Sequence, residues 1–490
     1  MEEYPDTYRD ASREELLAFI DRLLQDCRAK DETIKALQER IKDLERRTRM
    51  NSTNSSKPPS SDGYAKPAPK SQRVKSGRSP GGQQGHDGHS MEVPREADEI
   101  VPCFPDRCSG CPDLAKCISD RVLEAGESRF VVDAVMDIWI REYRSMSAKS
   151  CPKRKGRGQE GMIRGQFPED VRARIQYGDS FAAVAGILNT YGAISLSRVS
   201  DIIRSMFGVS LSTATVESMV RKCAKSVEDA LEGIRKDIVE RDVCHFDETG
   251  VRCDGKLMWV HNSSTADLTY QTISERRGIE GILDNGVLGK FGGIAVHDCW
   301  QSYWGGFEVE HSVCCAHILR ELAAIEEMEP DHKWPGEFRE LLLQMKSEKE
   351  RALAAGKRYL DACTLKGFGD RYDEILRLAD SERPPPPVQS ERGRGKIKLG
   401  KERALIERLR NLRGPVTLFV RDFRAPFDNN QAERDIRNLK TKTKVSGCFR
   451  TVGGARRHIG VMSYFSTVRK QGGNAFGSLK EALSKLHTSV

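Results

Sequence analysis

Near the N-terminus, apolar side chains recur at alternating spacings of four and three. Leu16, Ile20, Leu23, Cys27, Ile34, Leu37, Ile41 and Leu44 follow this rule, and Lys30 stands in the one polar slot. That spacing draws a heptad seam along one helix. Ile20, Cys27, Ile34 and Ile41 take its a positions; Leu16, Leu23, Lys30, Leu37 and Leu44 take its d positions. Ile at a with Leu at d favours a parallel two-stranded coiled coil, and a lysine at one d position costs stability while fixing the register. Ser12 and Glu15 supply an S-x-x-E capping box at the start. Residues 12–50 are therefore expected to form an oligomerisation helix. A lone amphipathic helix docked on the body is the other reading, and about four heptads in one register exceed what docking needs.

The pattern then changes several times. Residues 51–91 are rich in Ser, Pro, Gly and Lys and hold too little apolar surface to offset chain entropy, so they read as a disordered linker. Up to Gly85 this stretch carries six Lys or Arg against Asp62 alone, a balance that suits a polyanion such as DNA. A plain soluble linker is the alternative. Residues 92–160 form a cysteine-rich module whose alternating stretch RFVVDAVMDIWIREYRS, residues 129–145, reads as strands. Residues 161–240 read as helices. Within them, a helix over 197–206, a turn at Gly208 and a second helix capped by Ser212 or Thr213 resemble a helix-turn-helix. A packed helical hairpin fits equally, because the second helix carries no base before Arg221 and Lys222. Residues 241–325 turn to short strands with a helix between them. Residues 326–425 are helical and highly charged, interrupted by prolines at 384–387. Residues 426–490 return to helix. The expected fold class is thus a multidomain α+β chain.

Composition narrows the classes. The chain has 490 residues, 80 Lys plus Arg against 72 Asp plus Glu, and 38% hydrophobic residues. That length suggests about three or four folded units. The least charged run, residues 180–197, holds Asn189, Thr190 and several Ser and Gly, too polar to span a membrane. The acidic start MEEYPDTYRD is not a signal peptide, so a cytoplasmic location is expected. Fourteen cysteines without a secretion signal favour reduced thiols and a metal site over disulfides.

Two apolar runs end in a carboxylate. VCHFD, residues 243–247, closes on Asp247 and leads through a turn at Asp254 and Gly255 into a second strand. GGIAVHD, residues 292–298, closes on Asp298, with Trp300 and Tyr303 following. A carboxylate at a buried strand end is costly unless it meets a cation or partner. Two on neighbouring strands can share divalent ions, and Mg²⁺ prefers one or two carboxylates plus substrate phosphates. A pair of such ions serves phosphodiester chemistry; capping a turn or helix start is the plainer role. A third stretch favours the first view. After an Asp428/Asn429 cap, Glu433, Arg437, Lys440 and Lys444 share one helical face. From Arg434 to Arg457 there are eight Lys or Arg and only Asp435 as acid, more lopsided than a self-paired surface. Residues 390–413 hold nine Lys or Arg against three acids and read as a non-specific DNA-backbone contact.

These features in this order resemble a bacterial transposase of the insertion-sequence-66 family, a DDE enzyme with an RNase H-like core. The resemblance is carried by the coiled coil, NSSKPPSSD at 54–62, the cysteine module, DETG at 247–250, the His297-Asp298 strand end, CAHILREL at 315–322 and NNQAER at 429–434. It implies that Asp247, Asp298 and Glu433 form the catalytic triad and hold two Mg²⁺ or Mn²⁺ ions. It implies a helical insertion in the 134 residues between Asp298 and Glu433, DNA contact by Lys440 beside Arg437 and Lys444, and active-site neighbours at His317 and Arg320. The implied partners are the terminal inverted repeats of a mobile element, target DNA, a second copy of the chain and accessory proteins of the same element. A catalytically silent DNA-binding derivative and a metal-dependent nuclease are the alternatives. The family's module resembles a structural Zn²⁺ site with a C-x-x-C pair near each end. Cys108 and Cys111 supply one pair. Only Cys151 stands at the far end, where Arg154 occupies the expected second position, so Cys103 or Cys117 is left as the fourth ligand. Cys314 and Cys315 read as buried thiols rather than ligands.

Overall fold

The computed structural model describes residues 12–49, 96–108, 110–120, 123, 129–132, 136–148, 163–169, 171–386 and 399–488. Two compact units emerge. One comprises residues 1–70, 170–200 and 211–490; the other comprises 71–169 and 201–210. The expected linker at 51–91 lies wholly outside the described residues.

Helix α1 runs Arg13–Arg49 without a break, as the seam requires. Its seam residues Leu16, Ile20, Leu23, Ile34, Leu37, Ile41 and Leu44 remain 37–57% exposed. The second unit holds a short helix α2, Leu114–Ser119, and a two-residue antiparallel pair, β1 at Ser147–Ala148 with β2 at Ile163–Arg164. The strands expected over 129–145 are absent among the described residues, where Val131, Trp139 and Ile140 stand open to solvent. Alternation predicts a strand only where one face is covered and an edge is paired. Neither condition is met at its described residues, and the described part of the module has far less β structure than expected.

The helical region contains α3 at Asp179–Asn189, α4 at Leu196–Phe207, α5 at Thr213–Ser226 and α6 at Glu228–Val239. Gly208 takes a positive φ of 67° after α4. Ser212 caps α5, its side chain accepting from Thr215 N at 3.0 Å. Both boundaries match the sequence expectation.

A five-stranded sheet follows: β3 at Val243–Cys253, β4 at Lys256–Ser264 and β5 at Thr269–Ser274, then α7 at Ile279–Asn285, β6 at Ile294–His297 and β7 at Glu310–Val313. The order across the sheet is β5-β4-β3-β6-β7. β3, β4 and β5 are antiparallel, and β6 and β7 add parallel to β3. The β3–β4 hairpin turns on Asp254 and Gly255, both with positive φ, the signature of a twist-compatible two-residue turn.

Beyond β7 the chain makes α8 at Cys315–Met328, α9 at Trp334–Ala354, α10 at Ala362–Glu382, α11 at Lys401–Asn411 and α12 at Arg413–Arg421. Their apolar faces enclose Trp334, Phe338, Tyr372 and Phe419 together with Ile294 and Val296 of β6. This cluster covers one face of the sheet. On the other, α6 and α7 bury Ile238 and Ile282 against Cys244, Phe246 and Ala295. The chain then returns through α13 at Asn430–Ser446, α14 at Val452–Lys470 and α15 at Ala475–Thr488. α13 and α14 pack Ile436, Leu439 and Ile459 on β3 and β4. α15 packs on α3 and α5. Gly186 permits that approach: a Cβ there would sit 2.9 Å from Cys223 Sγ and 3.2 Å from Leu479 Cδ2. No helix among the described residues is long and apolar enough to cross a membrane.

Candidate active site

The two aspartates meet through strand geometry. Val243, Ile294 and Val296 pack on the face covered by α8–α12, while Cys244, Phe246 and Ala295 pack on the opposite face. Side chains alternate along a strand, so Asp247 and Asp298 fall on the first face. The parallel register pairs Val243 with Ile294, Cys244 with Ala295 and His245 with Val296. Continued by two residues, it sets Asp247 level with Asp298 on strands about 4.8 Å apart.

Both carboxyls are held by backbone N–H groups. Asp247 Oδ1 accepts from Glu248 N at 2.9 Å, and Asp298 Oδ1 accepts from Trp300 N at 2.8 Å. Burial pushes the Asp247 carboxyl well above the usual carboxylate range, and the negative charges of Glu248, Asp298 and Glu433 push it further the same way. Asp298 is raised too, by burial first and then by Glu248. Crowded buried acids raise each other's proton affinity, and a divalent cation relieves the same repulsion. The donor set is all oxygen, which suits Mg²⁺ or Mn²⁺.

Glu433 arrives on the first turn of α13. The cap residue of α13 is Asn429, which makes no side-chain cap bond, and Asp428 Oδ1 just before it accepts from Asn430 N at 3.0 Å. Asn429, 2% exposed, instead reaches sideways. Its Nδ2 donates to Phe246 O at 2.8 Å, its Oδ1 accepts from His245 Nδ1 at 2.8 Å, and its backbone N–H donates to Cys314 Sγ at 3.2 Å. One side chain thus ties the start of α13 to β3 beside Asp247, and its backbone ties it to the head of α8. The far end is pinned as well. Phe449 N donates to Arg252 O at 3.0 Å and Asp254 N donates to Phe449 O at 2.9 Å, at the hairpin tip. Between these pins, Asp435 pairs with the half-buried Lys470 of α14 at 2.7 Å.

His317 and Arg320, expected beside the site, lie there on α8. Glu433 Oε1 is 3.4 Å from Arg320 Nη2 and 3.8 Å from His317 Nε2. Burial and then the Arg320 charge lower the His317 pKa, which favours its neutral form. Arg437 is exposed and lies 3.6 Å from Glu433 Oε2. Lys440 is half-buried on the same helix and Lys444 is exposed.

Sequence reasoning missed Glu248 as a site residue. Its side chain is 3% exposed and its Oε1 takes both Arg277 Nε and Nη2, at 3.1 and 2.7 Å. Its Oε2 accepts from Tyr303 OH at 2.7 Å. The Arg277 guanidinium lies between Trp259, 4.7 Å away, and Trp300, 4.4 Å away. This stack joins β4, the segment after Asp298 and the residue after Asp247. The signal available was the pair of Trp residues flanking both carboxylate runs, but Arg277 sits on neither run.

Two other expectations fare differently. The basic stretch at 390–413 is not an open DNA-facing surface where it is described. Arg403 is buried between Asp380 and Glu407, Arg408 pairs with Glu321, Arg410 with Asp380 and Arg413 with Asp373. Glu407 lies on α11 itself, and the other acids come from α8 and α10, distant in sequence; residues 390–398 lie outside the described residues. Of the cysteine ligands, Cys151 lies outside them too. Cys108 and Cys111 share one turn, Cys111 N donating to Cys108 O at 3.2 Å. Among the described residues, Cys103, Cys108, Cys111 and Cys117 do not converge as a group of three metal-ligating atoms.

A family of unknown function, DUF6444, matches residues 2–92. A search of curated proteins returns no match. The model of the transposase IS66 family matches residues 174–457, which include Asp247, Asp298 and Glu433 and more than half of the chain. The chain belongs to the IS66 transposase family.

Proposed function

We propose that the chain cuts and joins DNA at the ends of its own mobile element by a DDE mechanism. What supports this reading is the parallel β3–β6 register, which continued by two residues brings Asp247 and Asp298 onto one sheet face, with the Glu433 charge acting on Asp247. The strand order, with the first three strands antiparallel and the next two parallel to the first, supports an RNase H-like core. Asp247, Asp298 and Glu433 would hold two Mg²⁺ or Mn²⁺ ions. Such ions, when bound, activate an attacking oxygen and stabilise a leaving one in phosphodiester chemistry.

The protein's own groups do the rest. Asp247 is held within β3, which runs on past it to Cys253 rather than ending there as the apolar run suggested, Asp298 follows the end of β6, and the Asn429 anchor fixes Glu433 beside them. Arg320 orients Glu433 Oε1. Arg437, Lys440 and Lys444 line the helix that bears Glu433 and would meet DNA phosphates. In the overall reaction water breaks a phosphodiester at the element end and a 3′-OH leaves. That 3′-OH then attacks a target phosphodiester, releasing a second 3′-OH. The exposed α1 seam would join two or more copies so that two element ends are held together. A structural Zn²⁺ on Cys108, Cys111, Cys151 and either Cys103 or Cys117 would stabilise the cysteine-rich module.

The test uses purified full-length protein, element-end DNA and Mg²⁺. Strand cleavage and transfer are expected, and both are lost in Asp247→Ala, Asp298→Ala and Glu433→Ala. DNA binding with no metal-dependent cutting would instead identify a silent binder. Cutting without joining would identify a nuclease.

A further inference from the structure

Cys314, His317 and Glu433 stand apart from the oxygen-only set. Each offers one ligand atom, a thiol sulfur, an imidazole nitrogen and a carboxylate oxygen, and these atoms all lie within 4.8 Å of one another. Cys314 precedes α8, His317 sits in its first turn and Glu433 faces them from α13. Mg²⁺ has no use for sulfur and little for imidazole, whereas Zn²⁺ and Cd²⁺ take both.

Three details suit a thiophilic ion. Cys314 Sγ already accepts an N–H bond from Asn429 at 3.2 Å, the kind of contact that supports a metal-bound thiolate. His317 Nδ1 is shut off from solvent without a hydrogen-bond partner. That orphan is costly for a buried polar atom, and a change of ring tilt toward an ion would remove it. Glu433 Oε1 is bound on this side only loosely, by Arg320 at 3.4 Å.

We infer that Cys314, His317 and Glu433 form a binding site for a thiophilic divalent ion such as Zn²⁺, sharing Glu433 with the oxygen-ligand set. Binding replaces the S–H bond with a sulfur–metal bond and releases the proton to solvent; no electron is transferred. Three protein ligands leave a fourth position open for water. An ion held here engages the Glu433 carboxylate and competes with Mg²⁺ for it. Zinc is then an inhibitor that acts inside the site rather than through the cysteine-rich module. The inhibition rests on the reading of Glu433 given above; the binding site itself does not.

The test titrates the full-length protein with Cd²⁺ and follows the ultraviolet thiolate-to-cadmium charge-transfer absorption. In Cys314→Ser the saturating signal is expected to fall by one thiolate equivalent, while Cys315→Ser leaves it unchanged. His317→Ala keeps the thiol, and its last-filling component should shift to higher Cd²⁺ by at least roughly tenfold, since losing even a supporting partner of a metal ligand costs that much. An unchanged signal in Cys314→Ser, or an unshifted titration in His317→Ala, overturns the site. In a parallel arm, Zn²⁺ added to the Mg²⁺ cleavage reaction should inhibit wild type more strongly than Cys314→Ser. If the protein cleaves nothing, the proposed function fails while the Cd²⁺ result still decides the site.

Discussion

Asn429 illustrates how much a single buried amide can organise. In the sequence it reads as one of two capping residues before a charged helix. In the fold Asn429 holds the cap position but spends both ends of its side chain on β3, while Asp428 accepts from the first helical N–H. That division could not be read from spacing, because either residue type can cap and only the third dimension assigns the task. Asn429→Ala leaves Phe246 O and His245 Nδ1 without partners in a closed environment, which costs about 1–3 kcal/mol of stability. The anchored helix carries Glu433, so cleavage per folded molecule should also fall. Urea denaturation measures the first effect and single-turnover cleavage the second; undiminished cleavage by the folded variant would show that Asn429 serves stability alone. The aspartates themselves were legible, because an apolar run that ends in an acid is visible in one dimension. Glu248 was not, since its meaning comes from Arg277 and Tyr303, far along the chain.

Elements were legible where their signal was local. The β3–β4 turn, the α5 cap and the uninterrupted α1 follow from a few adjacent residues. Elements whose character depends on distant partners were misread. The arginines of α11 pair with Glu407 of the same helix and with acids of α8 and α10, and the described residues of the 129–145 stretch lack the cover that alternation presumes. α14 yields a prediction of its own kind. His458 is buried there against Phe449, and burial drives its pKa from 6.5 down to about 3. Below pH about 6.5 the unfolded chain takes up a proton that the folded chain refuses, so the unfolded state binds more protons and stability falls as pH drops toward about 3. His458→Phe removes that difference. Its urea midpoint, followed from pH 7 to 4, should decline less steeply than that of wild type. Parallel slopes would mean the imidazole is already protonated in the fold.

At the scale of the whole molecule, the α1 seam and the return of the chain into the sheet stand out. The seam Ile and Leu of α1 are exposed among the described residues, and a second copy of the chain is the partner proposed for them. Two lysines placed at a positions, Ile34→Lys with Ile41→Lys, should reduce the mass seen by light scattering to that of one chain, because buried like charges in a heptad core are not tolerated. An unchanged mass would locate self-association elsewhere.

The long excursion between β7 and α13 leaves and comes back at almost one point. Cys315 N donates to Phe427 O at 3.0 Å, Asn429 N reaches Cys314 Sγ, and Lys349 Nζ steadies Ala425 O at 2.6 Å. A segment stitched shut at its base transmits little of its own length to what lies below. Lineages could therefore shorten, extend or replace α9–α12 as a cassette, keeping the two stitches, and the distance from the aspartates to the glutamate would hardly register the change.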